Sequence, residues 1–247
     1  MLAVRIIPVL LCRGNSLYKG KQFDSWRSVG NAMQSMKTHQ KRGVDELILL
    51  DIDATPKGRR PNFSMVEELS EPCFSPITIG GGVKTLADIK GLLDAGADKV
   101  AIGTACMDDP EMIKAATDKY GSQAIVGVVD VKDGHVVTKC GKRFHYNVNP
   151  VDYASELCDM GVGEILLNSV DRDGMMDGYD TMLIKYVSAS VNVPVIALGG
   201  CGEPKHMKEA IESGASAVAA GAMFQFTDCT PKSCASYLAN FGIPTRT

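Results

Sequence analysis

The chain has 247 residues, enough to bury a large core and close to the roughly 250 residues of one (β/α)8 barrel. Its 45% hydrophobic and 22% charged content is ordinary for a globular protein, and a net charge of −3 leaves no basic footprint for nucleic acid. The apolar run over 6–12 is too short for a membrane span and follows no basic leader, so we expect a cytoplasmic protein with neither membrane nor nucleic acid as partner.

The first predicted strand covers 4–11. A loop with Gly14, Asn15 and Gly20 follows, then a helix over 29–40. Residues 46–52 are an apolar run ending in acid, as in a strand buried on both faces. A polar loop over 53–62 leads to a short helix near 65–69. Residues 76–80 are a strand, Gly81-Gly82 a turn, 86–95 a helix and 99–103 the fourth strand. Asp109-Pro110 caps a helix over 111–120 in the favoured order, acid then proline. The fifth strand covers 123–131, and Asp133-Gly134 makes a hairpin turn inside a loop reaching Asn149. A helix over 150–160, a strand over 164–168, a polar loop over 171–179 and a helix over 181–190 come next. Strands seven and eight flank a helix over 206–212, and a helix over 231–240 closes the chain. Eight strands alternating with eight helices predict an α/β chain forming one (β/α)8 barrel domain over 1–247.

The pattern repeats within the chain. Pro76, Gly81-Gly82, Gly96-Ala97 and Gly103 return 118 residues later as Pro194, Gly199-Gly200, Gly214-Ala215 and Gly221. The second and sixth strands share the repeat, as do the first and fifth at an offset of 119, which implies two half-barrels related by a pseudo-two-fold axis.

In such barrels chemistry collects at the C-terminal ends of the strands. Gly81, Gly82, Gly103 and Thr104 after strands three and four offer backbone N–H groups for a phosphate. Gly199, Gly200, Gly221 and Ala222 after strands seven and eight repeat the arrangement, so we expect a small molecule phosphorylated at both ends. Asp130, Asp51 and the Asp171-Arg172-Asp173-Gly174 loop place carboxylates there for general acid–base work, although salt bridging or loop capping explains each equally well. At the opposite end Arg5, Glu46, Lys99 and Glu164 each begin a strand. They form a neutral charge set that reads either as a plug or as a gate for a small neutral molecule. The eight cysteines lack metal spacing and read as free thiols, and the four histidines are scattered, so we predict no metal and no cofactor.

Together these segments resemble, from end to end, the cyclase subunit of imidazole glycerol phosphate synthase. The matching stretches include MLAVRIIP at the start, DELILLD at 45–51, GGG at 80–82, GADKV at 96–100, GEILL at 163–167 and DRDG at 171–174. The resemblance implies a heterodimer with a glutaminase docked at the barrel floor through Asp98, and a gate at Arg5, Glu46, Lys99 and Glu164. It further implies ammonia crossing the barrel to a bisphosphorylated ribosyl-formimino intermediate, substrate contacts from Lys19, Asp173 and Gly174, and catalysis by Asp130. The family's second acid, ending strand one, is Leu11 here, and a leucine transfers no protons. Gly103, Leu198 and Ala222 replace an asparagine and two serines usual beside the phosphates. The endings Leu10-Leu11, LDIDAT at 50–55 and GRRPNF at 58–63 look like a second, glycosyl-amidation-associated branch of the family. There the barrel is associated with passing ammonia to an N-acetyl sugar amidotransferase for surface polysaccharide. The alternative is a genuine cyclase of histidine biosynthesis in which Asp51 or Asp53 compensates for Leu11.

Overall fold

A computed structural model describes residues 3–246; Met1 and Leu2 of the opening matched segment lie outside the described residues. In chain order, β1 (Arg5–Arg13) leads into an antiparallel hairpin of β2 (Ser16–Lys21) and β3 (Asp24–Asn31), then α1 (Ala32–Lys41), β4 (Leu47–Asp51) and α2 (Phe63–Ser70). Next come β5 (Ile77–Gly80), α3 (Leu86–Asp94), β6 (Lys99–Ile102), α4 (Thr104–Asp108), α5 (Pro110–Tyr120) and β7 (Ile125–Lys132). The hairpin of β8 (His135–Thr138) and β9 (Arg143–His145) precedes α6 (Pro150–Asp159), β10 (Glu164–Ser169) and α7 (Thr181–Ser190). The chain continues with β11 (Val195–Leu198), α8 (Pro204–Glu212), β12 (Ala217–Ala220), α9 (Ala222–Phe226) and α10 (Pro231–Ala239).

Eight strands pair in parallel in the order β1-β4-β5-β6-β7-β10-β11-β12, and β12 returns to β1 to close the barrel. Closure leaves no barrel edge to cap. Side chains alternate along each strand, so Ile6, Leu10 and Cys12 pack outward against the helices, whereas Ile7 and Val9 face the axis. The axial layer also takes Ile48, Ala101, Val126, Leu166, Ile196, Ala217 and Ala219, each at most 3% exposed. The barrel is filled, not hollow, as expected of eight strands.

The structure departs from the sequence expectations at the strand ends. The loop expected after strand one is the β2–β3 hairpin, and Val29, expected in a helix, lies in β3. β1 runs on to Arg13 because Leu11, Cys12 and Arg13 pair with Tyr18, Leu17 and Ser16. Helix α1 begins only at Ala32, where the Asn31 side chain accepts from the Gln34 N–H and caps it. The short helices α4 and α9, directly after β6 and β12, were also unforeseen. They bring the α-helices among the described residues to ten instead of eight. Asp133 and Gly134 do make the expected turn, with φ of +50° and +75° between β7 and β8.

Candidate functional site

The floor of the barrel carries the four charges read from the strand starts, and they meet. Arg5 Nη1 lies 2.7 Å from Glu46 Oε2 and Arg5 Nη2 2.8 Å from Glu164 Oε1. Lys99 Nζ lies 3.1 Å from Glu46 Oε2 and 2.9 Å from Glu164 Oε2, which closes a four-membered ring. Thr78 Oγ1 donates to Glu46 Oε1 at 2.9 Å, so the most buried carboxylate, 2% exposed, is fully engaged. Burial works against the Arg5 charge, yet Glu164 and Glu46 outweigh it and hold the guanidinium above its ordinary value. Beside the ring, Asp98 Oδ2 accepts from the Ile77 N–H at 2.8 Å on an exposed rim. Above the ring lies the apolar axial layer.

Above that layer opens a pocket of about 1090 Å³, mouth included. Its apolar wall includes Leu11, Leu50, Val128 and Leu198, inward residues toward the C-terminal ends of their strands. Asp130 follows Val128 on the inward row of β7, in register with Asn168 of β10, whose Nδ2 donates to Asp130 Oδ1 at 2.9 Å. Burial pushes the Asp130 carboxyl up to about 6; the Asn168 hydrogen bond opposes the rise and the Asp173 charge adds to it. Asp173 is likewise pushed up to about 6 by burial, against the pull of Lys19. Lys19 reaches the pocket from β2, donates to the Val9 carbonyl at 2.8 Å, and is pushed down to about 8 by burial, opposed by Asp173. Burial thus moves all three groups toward neutrality, where a buried carboxyl can serve as acid or base. Leu11 offers no such group.

Asp51 and Asp53, which could have stood in for the missing acid, are occupied. Both Asp51 oxygens accept from Arg59 Nη2, at 3.0 and 2.8 Å, and Asp51 Oδ1 also accepts from the Asp53 and Ala54 N–H groups. Asp53 pairs with Lys57 and with Arg13, and the Lys57 hydrogen bond holds its carboxyl below the usual range despite partial burial.

The chain matches the family described as histidine biosynthesis protein over residues 5–230. It belongs to that family. It is 40% identical over 250 residues to the imidazole glycerol phosphate synthase subunit HisF of Endomicrobium trichonymphae, covering 100% of this chain and 96% of that protein. Similarity is comparable to the HisF subunits of Caulobacter vibrioides, 39% over 252 residues with 100% and 97% covered, and of Nocardioides sp., 40% over 256 residues with 99% of each covered.

In this member of the histidine biosynthesis family the two expected phosphate cradles are unequal. Gly81, Gly82, Gly103 and Thr104 all line the pocket, but the Gly82 N–H already donates to Thr55 Oγ1 at 3.1 Å. On the opposite side Gly174, Gly221 and Ala222 line it, while Gly199 and Gly200 do not. These two, at φ of +95° and +99°, pack against the Ser169 and Gly178 carbonyls, where any Cβ would collide. The Lys19 ammonium lies against Gly221, where a Cβ would have to push it aside. That contact brings a cation to the second cradle. Sequence reasoning missed Asn168, although it ends the inward row Glu164, Leu166, Asn168 and could have been read from that spacing. It also missed the roof. The Gln22 N–H donates to the Asp173 carbonyl at 2.9 Å, Gly20 abuts Gly174, and Phe23 lies against Gly141. No local pattern announces contacts between such distant segments.

Proposed function

We propose that this chain is the ammonia-receiving barrel subunit of a glutamine amidotransferase, with its own cyclase chemistry reduced or lost. The observation that carries this reading is a complete Arg5–Glu46–Lys99–Glu164 ring below a pocket whose wall has Leu11 opposite Asp130. A glutaminase subunit docks at the floor near Asp98. Ammonia passes the ring and the apolar layer as the neutral molecule, since an ammonium ion would pay a large desolvation penalty there. The barrel acts as one domain over 1–247 in the cytoplasm, needs no cofactor, and supplies an N-acetyl sugar amidotransferase of surface-polysaccharide synthesis. Phosphorylated ligands, where bound, contact Lys19, Asp173, Gly174 and the glycine cradles.

A second reading, a genuine cyclase of histidine biosynthesis, is favoured by the Asp130 carboxyl held up to about 6 in the pocket. In that case the second carboxylate is Asp173, because Asp51 and Asp53 are tied to cations. The test is turnover of the bisphosphorylated ribosyl-formimino intermediate by the purified chain with excess ammonium salt at alkaline pH and no partner. The first reading expects no turnover and a gain on Leu11→Asp. Turnover at the level of ordinary cyclases would sink it.

A further inference from the structure

The stretch over 58–63, singled out in the sequence but used by neither ring nor pocket, builds a second concavity. Arg59 and Arg60, with Lys57, Arg13, Asp53 and Asn62, line an open groove of about 890 Å³ outside the barrel mouth. Four cations face it, and among the described residues on its wall Asp53 is the sole carboxylate. Asp53, and Asp51 and Asp88 behind the wall, pair with all four, which leaves the cluster one positive charge in excess on a chain of net charge −3.

The cations are held in place. The loop is pinned by Lys57 N–H to Asp53, Gly58 N–H to Thr55 and Arg59 N–H to Ala54 carbonyls, at 3.1, 3.0 and 2.9 Å. Arg60 Nε donates to Asp88 Oδ1 at 2.6 Å, and Arg13 Nε lies 3.2 Å from Asp53 Oδ1. Arg60 is therefore anchored through Nε, which leaves its terminal nitrogens, the edge that grips an oxyanion in a fork, for another partner, while Arg13 meets Asp53 as a charge pair without a hydrogen bond from Nε. Arg13 is further fixed over the Tyr18 and Trp26 rings, 4.7 and 5.3 Å from their centroids, and Arg60 lies 5.4 Å from that of Phe63. Lys57 and Arg60 remain 63% and 62% exposed along their side chains. Several cations along one wall suit a multiply charged oxyanion, which offers more acceptor oxygens than a single carboxylate.

We propose that this groove is an anion site for a phosphate-bearing small molecule, separate from the barrel pocket. It stands whether the chain is a conduit or a cyclase. It is also coupled to the pocket: the Arg59 carbonyl packs onto the Gly82 Cα, and Arg59 holds Asp51, which lines the pocket wall. An anion that drew Arg59 outward would loosen Asp51 and the first cradle together.

The probe is inorganic pyrophosphate, titrated calorimetrically into the full chain, into Lys57→Gln and Arg60→Gln, and into Lys19→Met as a pocket variant. We expect a binding event that weakens about tenfold in each groove variant, persists in Lys19→Met, and fades as salt is raised. Both groove positions are exposed, and circular dichroism establishes that the variants fold. Unchanged affinity in Lys57→Gln and Arg60→Gln, or an event abolished only by Lys19→Met, would place the anion in the barrel pocket and overturn the proposal. So would the absence of any binding up to about 10 mM pyrophosphate.

Discussion

Asp130 and Asp173 share one pocket, where burial makes the ionisation of each harder and the Asp173 charge adds to the effect on Asp130. Both carboxyls lie near 6 when folded against the ordinary range near 4, so the folded state takes up protons between about pH 6 and 4 that the unfolded chain does not. The penalty of the ionised forms is therefore present above pH 6 and is relieved as pH falls through it. Asp130→Asn and Asp173→Asn should each raise stability at pH 8 by on the order of 1 kcal/mol, with the advantage shrinking toward pH 4. Urea denaturation across that range checks it, and a variant less stable than wild type at pH 8 would contradict the assignment. The same substitutions should remove whatever proton-transfer chemistry the pocket retains.

At the scale of elements, the strand-start ring and the turn geometry carry separate expectations. Lys99→Met leaves two carboxylates to share Arg5 alone and should cost about 2–3 kcal/mol, since breaking a buried network strands a charge. In complex with a glutaminase, it should also lower glutamine-dependent transfer more than ammonium-dependent transfer, which compares delivery through the floor with supply from solution. Gly134→Ala, at φ of +75° with open space around it, should cost only about 1 kcal/mol of backbone strain, read as a lowered Tm. The barrel strands and their order were legible because two-residue alternation and doubly buried apolar runs are local signals, and because the half-barrel repeat checks each strand against its copy. The β2–β3 hairpin was not. Its few apolar residues, Leu17, Tyr18, Trp26 and Val29, are scattered without alternation in a stretch rich in glycine and serine, and its strand character comes from pairing onto the overrun end of β1. The glycine cradles were visible as sequence, but not the role of Gly199 and Gly200 in close backbone packing, which depends on where the Ser169 and Gly178 carbonyls fall.

For the whole molecule, barrel closure separates the floor from the mouth, so a partner and a phosphorylated ligand can be bound at once without competing for surface. The floor rim exposes Asp98 and, just before β5, Phe74 at 94%. Asp98→Lys and Phe74→Ala should each weaken the glutaminase complex at least tenfold while leaving pyrophosphate binding at the other end unchanged, measured by calorimetry on the two ligands. Unchanged partner affinity in both would move the docking face elsewhere. The roof over the mouth adds a temporal consequence. With Gln22 bridging to the Asp173 and Asp171 carbonyls, at 2.9 and 2.8 Å, and Phe23 against the β8–β9 hairpin, β2–β3 is tied down over one side of the mouth, and its lifting would widen the exit for a pocket ligand. Gln22→Ala, which removes the side-chain tether but not the backbone one, should shorten the residence of a bound bisphosphate about fivefold in stopped-flow displacement, with little change in its rate of entry.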